Sequence, residues 1–448
     1  MKKIYIKTFG CQMNVYDSER MYELMQPHGY TTTNKYDDAD LVILNTCHIR
    51  EKAAEKIYSE LGRIVPHKIN SDKQGKKLNI VVAGCVAQAE GKEIIIRQPM
   101  VDIVVGPQTY HRLPELLNTI SNTSRRIVDT DFPIENKFDE LQKARINNNS
   151  VAFLSIQEGC DKFCSFCVVP YTRGAEYSRP VNDIILEAKN LIKHGAKEIC
   201  LLGQNVNSYH GEYNNKTYSL DKLIMEIANL ESIKRIRYMT SHPADMTDGL
   251  IKAHGEVAVL MPYLHLPVQS GDDKVLKAMN RKYSSLEYLH IIEKLRHARP
   301  DIAFSSDFIV GFPGETDQAF ENTLKLVEKV NYSQAYSFKY SRRPGTPGSI
   351  MTEQVSEVIK KVRLSALQEI LNTQQLDFNS TFIGKSLDVL IERRRKDKQL
   401  VGKSPYMQAV HILEGQYEIG DILKTKVLAA DKNSLKGDSI QLLAGANN

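Results

Sequence analysis

The sequence lacks any run of 18 or more apolar residues, so no segment is long and apolar enough to cross a membrane as a helix. Residues 1–7 are charged and then strand-like, and they lack the apolar core and small-residue cleavage site of a signal peptide. We therefore expect a cytoplasmic protein, because nothing in the sequence directs the chain to or across a membrane.

Cysteine is also scarce, with seven in 448 residues. In a reducing compartment, these thiols are better explained as ligands or catalysts than as disulfides. No strong charge of one sign is present, since 59 basic and 54 acidic residues leave a formal net charge of +5. This mildly basic balance permits a nucleic-acid partner without requiring one.

Strand-like runs alternate with helical segments over residues 1–121, which predicts an α/β domain with a doubly wound parallel sheet. The runs are 4–9, 41–46, 80–84 and 101–106. Three of them lead directly into a cysteine, at Cys11, Cys47 and Cys85. Sheets of this type bind ligands outside the carboxyl ends of their strands, so the fold is expected to bring these thiols together.

The rest of the chain divides into four segments. Polar residues 122–149 predict a linker. Residues 150–350 contain six strand candidates that alternate with helices, too few for an eight-fold barrel, and this predicts a partial (β/α)6 barrel. Residues 351–380 predict a connecting helix. Residues 381–445 have short alternating strands and glycine turns, typical of a small antiparallel β-barrel.

A second group of thiols, Cys160, Cys164 and Cys167, forms a Cys-x3-Cys-x2-Cys loop after a strand-like segment. Iron–sulfur clusters normally take four cysteine ligands, so three cysteines leave one iron of a cubane open. An open iron is typical of enzymes that bind and cleave S-adenosylmethionine (SAM). The alternative is a zinc site, but zinc prefers four protein ligands and no second cysteine pair stands nearby.

The other cysteines allow two interpretations. Cys11, Cys47 and Cys85 are either core residues, because cysteine packs like a small hydrophobe, or ligands of a second open cluster. We favour the cluster, since each of them follows a strand instead of lying within it. Cys200 lies inside an apolar run and is expected to be a core residue.

Several motifs carry a family resemblance across nearly the whole chain. They are Thr8–Asn14, Asn45–Ala53, Gly84–Gln88, Cys164–Pro180, Leu202–Asn207, His265–Gly271 and Gly311–Thr316. Through them the chain resembles the radical SAM methylthiotransferases, and its C-terminal barrel resembles a TRAM module. The Gly203–Asn207 segment is most similar to the branch that acts on isopentenyladenosine in tRNA. One departure is Arg342, which stands where the family has a proline.

The resemblance implies methylthiolation at C2 of N6-isopentenyladenosine, at tRNA position 37 beside the anticodon. It implies two [4Fe-4S] clusters and two SAM molecules, one as methyl donor and one as source of a 5′-deoxyadenosyl radical. Cys160, Cys164 and Cys167 would hold the SAM-binding cluster, and Cys11, Cys47 and Cys85 an auxiliary cluster. It further implies a reduced flavodoxin- or ferredoxin-type electron donor, no membrane partner and a monomeric enzyme.

Contacts to SAM and RNA are also expected by analogy. The expected SAM contacts are Phe166, Gly203, Gln204, Asn205, Gln269, Ser270, Gly311 and Pro313. The expected RNA contacts are Arg173, Arg179, Arg393, Arg394, Arg395, Lys396 and Lys398. The last five form a basic hairpin in a small barrel, a type of fold that binds oligonucleotides.

Three other functions stay open at this point. The chain could be a methylthiotransferase for threonylcarbamoyl-adenosine in tRNA or for a ribosomal-protein aspartate. It could instead be an RNA-binding iron–sulfur electron carrier or sensor, which needs no SAM. A structural zinc RNA-binding protein is the third alternative, and it would be colourless after anaerobic purification.

Overall fold

A computed structural model of the chain describes residues 1–48, 51–123, 125–133, 137–141, 149–413 and 415–445. The chain divides into two compact units. The first comprises Met1–Arg145, Glu158–Asp161 and Cys167–Tyr177, and the second comprises Ile146–Gln157, Lys162–Phe166 and Ser178–Asn448. In the described residues, no helix combines the length and apolarity needed to cross a membrane.

The first unit is built on a six-stranded parallel sheet with the order β2-β1-β3-β4-β5-β6. Its strands are β1 (Lys2–Phe9), β2 (Tyr30–Thr32), β3 (Leu41–Thr46), β4 (Asn79–Ala83), β5 (Ile103–Val105) and β6 (Ile127–Asp129). Every residue of β3, β4 and β5 is buried, as expected for strands covered on both faces. The predicted doubly wound sheet is thus confirmed.

Among the described residues, seven α-helices belong to the same unit. They are α1 (Gln12–Met25), α2 (Glu51–Lys73), α3 (Cys85–Glu90), α4 (Lys92–Arg97), α5 (Leu113–Thr123), α6 (Lys137–Glu140) and α7 (Val169–Arg173). The chain crosses from β1 to β2 on one side and to β3 on the other, so the strand order reverses beside β1. Open α/β sheets bind ligands at the carboxyl edge of such a switch point.

The predicted linker 122–149 needs correction. Residues 127–129 form β6, the sixth strand of the sheet, with backbone pairing to β5. The strand is only three residues long and polar residues flank it, so its sequence has no visible alternation. Residues 124, 134–136 and 142–148 of the predicted linker lie outside the described residues, as do Ile49 and Arg50 of the second motif.

The six strands predicted for the partial barrel are all present. The strands from residue 151 to residue 339 are β7 (Val151–Ser155), β8 (Gln157–Glu158), β9 (Tyr177–Ser178), β10 (Glu198–Leu202), β11 (His210–Tyr213), β12 (Lys216–Ser219), β13 (Arg235–Tyr238), β14 (Tyr263–His265), β15 (Ala303–Val310) and β16 (Gln334–Lys339). Two parallel sheets, β13-β10-β7 and β14-β15-β16, form the barrel wall. The antiparallel hairpin β11-β12 was not predicted.

Helices cover the outer face of this wall. They are α8 (Val181–Lys193), α9 (Leu220–Ala228), α10 (Asp248–Glu256), α11 (Asp273–Ala278), α12 (Ser285–Ala298), α13 (Asp317–Val330) and α14 (Pro347–Ile350), followed by the predicted connecting helix, α15 (Glu357–Ser380). Several begin at side-chain caps, including a capping box in which Ser284 and Glu287 satisfy each other's backbone amides. Apolar residues of the strands and helices meet in one large core.

The C-terminal segment closes into a five-stranded barrel with the order β17-β18-β19-β21-β20. Its strands are β17 (Ser386–Arg394), β18 (Leu400–Lys403), β19 (Ala409–Ile412), β20 (Ile422–Asp431) and β21 (Ser434–Ala444). The predicted small barrel is confirmed with one correction. The β19 and β21 strands pair in parallel, because the connection between them includes the whole of β20.

Candidate active site

Cys11, Cys47 and Cys85 lie at the carboxyl edge of three neighbouring strands of the first unit. Cys11 follows β1 by two residues, Cys47 directly follows β3, and Cys85 opens α3 after β4. Cys47 and Cys85 are buried, whereas Cys11 is half-buried. The sequence prediction that the fold would gather these thiols at one sheet edge is therefore confirmed by their placement.

The three thiols interact. Cys47 donates a hydrogen bond to the Cys11 sulfur, and this contact is the main cause that lowers the pKa of Cys11 to about 6. Burial raises the pKa of Cys85, and the nearby positive charge of Arg173 opposes that shift only in part. Cys11 caps α1 and Cys85 begins α3, and the positive end of a helix dipole favours a thiolate.

Two buried asparagines support this edge of the sheet. The Cys11 thiol donates to Asn14 Oδ1 at 3.3 Å, and Asn14 Nδ2 donates to Asn45 Oδ1 at 3.1 Å. Asn45 Nδ2 in turn donates to the Asn14 carbonyl at 2.8 Å. Because Asn45 stands two residues before Cys47, the asparagine pair fixes the start of α1 against the end of β3.

Three cysteines directly follow glycines in backbone conformations that other residues rarely adopt. Gly10 has φ +129°, Gly84 has φ +90° and Gly159 has φ +76°. A Cβ atom would collide with Cys47 at Gly10, with Asn45 at Gly84 and with the Ala175 carbonyl at Gly159. These turns therefore require glycine, both for the dihedral angle and for the close approach of the neighbouring chain.

The donors at this edge fit an iron–sulfur cluster, since three sulfurs converge at helix starts beside a buried cation. Over the described ranges, no three cysteine, histidine or carboxylate residues are grouped closely enough to hold a metal ion. The cysteine ligands of a cubane bind separate iron atoms, so they lie further apart than the ligands of one ion.

The central cysteine loop contributes to both units. Cys160 and Cys167 belong to the first unit and are half-buried. The Cys160 amide donates to the Gly174 carbonyl at 3.3 Å, and the Val169 amide donates to the Cys167 sulfur at 3.5 Å. Five of the six candidate ligands, including the three auxiliary thiols, therefore lie in the first unit.

Cys164 lies in the second unit and is buried. Arg281 Nη1 donates to the Cys164 sulfur at 3.5 Å. The Arg281 guanidinium is fixed by the Pro267 carbonyl at 2.6 Å and by the Tyr283 hydroxyl at 2.9 Å. A buried cation thus stands beside the sulfur of this candidate ligand.

Residues near Cys164 connect its segment to the barrel wall. Lys162 Nζ forms an ion pair with Asp245 at 2.7 Å, and Asp245 accepts from Asn205 Nδ2 at 2.8 Å. Asn205 Oδ1 is buried with no partner among the described residues, so it is available to a ligand. Phe166 packs against an apolar cluster that includes Met279 and Phe312.

The other predicted SAM contacts lie mostly at strand ends of the second unit. Gln157 Oε1 accepts the amides of Gln204 and Asn205 at 2.9 and 3.1 Å, and a Cβ on Gly203 would stand 2.5 Å from the same oxygen. Gln269 is in the left-handed region, with φ +71°, and bridges to Phe308 on β15.

Two further predicted contacts follow β15, and a third precedes α11. Gly311 has φ +71° and its amide donates to Glu315 at 2.7 Å, while Pro313 is buried beside it. Ser270 is completely buried, and its hydroxyl contacts Thr323 Oγ1 at 3.3 Å and accepts the Asp272 amide. Ser270 therefore supports the start of α11.

The predicted RNA contacts divide into two groups. Arg393–Lys396 and Lys398 are exposed on the β17–β18 hairpin, as predicted. Arg173 and Arg179 are buried, which corrects their assignment to RNA. Arg173 pairs with Asp17 in the first unit, and Arg179 pairs with Glu187 in the second. Their carboxylate partners are distant in sequence or on a helix face, so the sequence motif alone did not indicate burial.

Sequence reasoning missed several polar residues around the cysteines. These are Asn14, Asp17, Asn45, Lys137, Glu158 and Arg281. Three of them lie within or next to the motifs that contain Cys11 and Cys47, so proximity to a ligand was the available signal. Cys200, by contrast, is a core residue as predicted, with burial raising its pKa to about 12.

The sequence matches three known family profiles. Residues 3–106 match the uncharacterized protein family UPF0004, residues 154–327 match the Radical SAM superfamily, and residues 380–440 match the TRAM domain. These matches coincide with the parallel sheet, the partial barrel and the closed C-terminal barrel. The fold and the cysteine pattern thus define a radical SAM protein with a C-terminal TRAM domain.

Relatives that match over nearly their full length show which radical SAM family the chain belongs to. The chain is 57% identical to a tRNA-2-methylthio-N(6)-dimethylallyladenosine synthase of Wolbachia sp. subsp. Brugia malayi, covering 98% of this chain and 100% of the relative. It is 54% identical to the Agrobacterium fabrum synthase of the same name, covering 97% and 96% of the two chains. The chain belongs to the tRNA-2-methylthio-N(6)-dimethylallyladenosine synthase family.

Solved structures support the fold. A radical S-adenosylmethionine methyltransferase, TsrM, from Kitasatospora setae aligns with a TM-score of 0.57 at 12% identity, covering 78% of this chain and 75% of that one. The cobalamin-dependent S-adenosylmethionine radical enzyme OxsB aligns with a TM-score of 0.53 at 12% identity, covering 83% and 56%. At such low identity, these likenesses establish the shared architecture only.

Proposed function

We propose that this chain is the tRNA methylthiotransferase that converts N6-isopentenyladenosine at position 37 to its 2-methylthio derivative. It uses two [4Fe-4S] clusters and two molecules of SAM, one as methyl donor and one as radical source. The target carbon carries an unactivated C–H bond, which side-chain acid–base chemistry does not break usefully. A radical enzyme is therefore required, and the cofactor supplies that chemistry.

One observation carries the proposal. Cys11, Cys47 and Cys85 converge at the switch-point edge of the sheet, in the same compact unit as Cys160 and Cys167. A radical generator and a sulfur carrier must act on one bound substrate, and reacting groups must be held within a few ångströms. The placement of the auxiliary thiols and of two of the three central thiols in one unit supports that requirement.

The residues have separate roles in this proposal. Cys160, Cys164 and Cys167 hold the SAM-binding cluster, and Cys11, Cys47 and Cys85 hold the auxiliary cluster. When bound, the clusters supply the electron that cleaves SAM and the site at which sulfur is carried. Asn205, whose buried oxygen has no partner in the described part of the chain, is placed to accept a hydrogen bond from SAM.

The remaining expected contacts are part of the same proposal. Phe166, Gly203, Gln204, Gln269, Gly311 and Pro313 border the SAM site. Phosphates of the anticodon arm bind the basic hairpin, whose cations are Arg393, Arg394, Arg395, Lys396 and Lys398. We further propose that the enzyme works as a cytoplasmic monomer and takes electrons from a reduced flavodoxin or ferredoxin.

Cysteine-to-alanine variants test the assignment of the two clusters. Wild-type protein, reconstituted anaerobically, should hold about eight irons. Cys47→Ala should hold about four irons, and so should the triple Ala variant of Cys160, Cys164 and Cys167. Cys47→Ala should still release 5′-deoxyadenosine from SAM but form no methylthio nucleoside. The triple variant should form neither. Cys200→Ala is the matched control, because this thiol is buried away from the candidate ligands, and it should keep all the iron.

Several results would contradict the assignment. Methylthio product from reconstituted Cys47→Ala protein would remove the auxiliary cluster from the mechanism. Wild-type protein that binds iron but forms no 5′-deoxyadenosine would favour an electron carrier or sensor. Methylthiolation confined to threonylcarbamoyl-adenosine or to a ribosomal protein, measured by mass spectrometry of tRNA nucleosides and peptides, would assign a different substrate.

A further inference from the structure

We propose that Arg173 is a positioning residue for the auxiliary cluster. Its buried guanidinium stands near the Cys85 sulfur and raises the reduction potential of the cluster. The inference rests on the proposed function, because it takes Cys11, Cys47 and Cys85 as the ligands. It assigns a role to a buried arginine that lies six residues after Cys167, outside both sets of cysteines.

Arg173 is placed at the auxiliary thiols by the fold. It is the last residue of α7 and only 3% of its surface is exposed. The α7 helix packs against α3, the helix that Cys85 opens. The Arg173 guanidinium lies within electrostatic reach of both Cys85 and Cys11. The cation therefore stands beside two of the three candidate ligands of one cluster, in the interior of the unit.

Two carboxylates hold the guanidinium in this position. Arg173 Nη2 donates to Asp17 at 2.6 Å, and Nη1 donates to Glu158. The backbone of Arg173 is fixed as well, since its carbonyl accepts from Gln108 Nε2 at 2.7 Å. Asp17 lies on α1 after Cys11, and Glu158 lies two residues before Cys160, so the network joins the segments that carry both groups of cysteines.

A second cation completes the network. Lys137 is 2% exposed, forms an ion pair with Glu158 and donates to the Pro107 carbonyl at 2.9 Å. Burial favours the neutral acid, but Lys137 and Arg173 outweigh it and lower the pKa of Glu158. Buried ion networks add little stability compared with apolar residues of similar volume. Stability alone therefore does not account for this buried network of four charges.

The expected effect on the cluster has a definite sign. Reduction adds a negative charge to a cluster that already carries thiolate ligands. A fixed cation close to the sulfurs stabilises the reduced form more than the oxidised form, and so it raises the potential. Hydrogen bonds to ligand sulfurs act in the same direction and are among the main determinants of cluster potentials.

The second unit contains an independent example of the same arrangement. Arg281 is buried, donates to the Cys164 sulfur at 3.5 Å and is held by a carbonyl and a hydroxyl. Each set of candidate ligands thus has one buried arginine at one of its sulfurs. The two arginines differ in their anchors, because Arg173 is held by carboxylates and Arg281 by neutral acceptors.

The test is a redox titration of the auxiliary cluster that is monitored by electron paramagnetic resonance. The triple Ala variant of Cys160, Cys164 and Cys167 serves as background, because it should retain only this cluster. Arg173→Gln should lower the ratio of reduced to oxidised cluster at a fixed potential about tenfold, equivalent to about 59 mV for a one-electron couple. Arg173→Lys keeps the charge and should restore most of that shift.

A second variant separates an electrostatic role from a structural one. Asp17→Asn removes a negative charge from the network and should raise the potential, opposite in sign to Arg173→Gln. Both changes remove an ion pair, so a merely structural role would lower the thermal midpoint in both without opposite shifts. Arg179→Gln is the control, since it removes a buried arginine paired with Glu187 in the other unit and should leave the potential unchanged.

The outcomes distinguish this inference from the proposed function. If the triple Ala variant holds no iron and gives no cluster signal, the assignment of an auxiliary cluster to Cys11, Cys47 and Cys85 is wrong. If the signal is present but Arg173→Gln and Asp17→Asn leave the potential unchanged, the inference is overturned and the cluster assignment stands. If Arg173→Gln does not fold, the sign of the Asp17→Asn shift decides.

Discussion

His254 is a titratable residue whose surroundings keep it neutral. It is completely buried, and its Nε2 lies 2.7 Å from the Tyr238 hydroxyl. Burial, with a smaller contribution from Arg299, lowers the pKa of His254 to about 3. Its unfolded pKa is about 6.5, so below that pH the unfolded chain binds a proton that the folded chain does not.

We predict that this histidine makes the second unit less stable in mild acid. The contribution of neutral His254 to the free energy of unfolding is fully present above pH 6.5. It decreases as the pH falls, by about 1.4 kcal/mol at pH 5.5. His254→Gln keeps an acceptor for Tyr238 but has no titrating group. Thermal midpoints at pH 7.5 and 5.5 should therefore differ less in this variant than in the wild type, and equal differences would contradict the prediction.

The positions of the candidate ligand cysteines could be predicted at the level of single residues, whereas their neighbours could not. The strand-end positions of Cys11, Cys47 and Cys85 were sufficient to predict that one sheet edge gathers them. Arg173 was misassigned to RNA, since an arginine beside a cluster loop has the same sequence pattern whether it faces solvent or Asp17. Burial depends on segments more than 150 residues apart, which a local motif does not contain.

At the level of secondary structure elements, the glycine–cysteine turns determine where the thiols lie. Gly10 lies in the turn after β1 and has a positive φ. A Cβ atom added to Gly10 would collide with the Cys47 side chain. Gly29 also has a positive φ, +81°, but a Cβ added at that position would have no other atom within 4 Å. The two glycines share the backbone strain and differ only in the close approach.

We predict that Gly10→Ala disrupts the auxiliary cluster and that Gly29→Ala does not. The added methyl group at position 10 displaces Cys47, so the reconstituted variant should hold about four irons instead of about eight. It should still cleave SAM to 5′-deoxyadenosine. Gly29→Ala should keep the iron and lose on the order of 1 kcal/mol of stability from its left-handed backbone. Full iron content in Gly10→Ala would contradict the role of this turn.

Strands in a regular βα alternation were predictable, even where they are only three residues long, as β5 and β14 are. The six strands of the partial barrel were predicted because they alternate with helical segments. Tyr30–Thr32 and Ile127–Asp129 were missed, since polar residues flank these short strands and hide the pattern. The β11-β12 hairpin was missed for a related reason, because its residues are polar and mostly exposed and only backbone pairing marks it as a sheet.

At the level of the whole chain, the C-terminal barrel is part of the second unit and not a loosely tethered module. Arg235 at the start of β13 donates to the Lys403 carbonyl at 3.0 Å and to the Asp388 carbonyl. Asn379 at the end of α15 donates to the Asp431 carbonyl at 2.9 Å. Removing this barrel would expose buried polar groups of the partial barrel, so point substitutions test RNA binding more cleanly than truncation.

The basic hairpin provides suitable positions for such substitutions. Arg393, Lys396 and Lys398 are exposed. Arg394 and Arg395 are left unchanged, because Arg394 donates to the Tyr417 carbonyl and Arg395 forms an ion pair with Asp397. Replacing the three exposed cations by Glu should weaken tRNA binding at least about tenfold at moderate salt. It should also reduce the slope of log K against log salt concentration by roughly 2 to 3, because each lost phosphate contact releases about one counterion fewer.

A matched control separates this local effect from overall charge. Lys252, Lys294 and Lys325 lie on three helices of the same unit, and their replacement by Glu changes the net charge equally. Their surface ion pairs contribute little stability, so this variant should fold normally. Formation of 5′-deoxyadenosine from SAM alone should be unchanged in both variants. Equal loss of tRNA affinity in the two would mean that net charge, and not the hairpin, binds the anticodon arm.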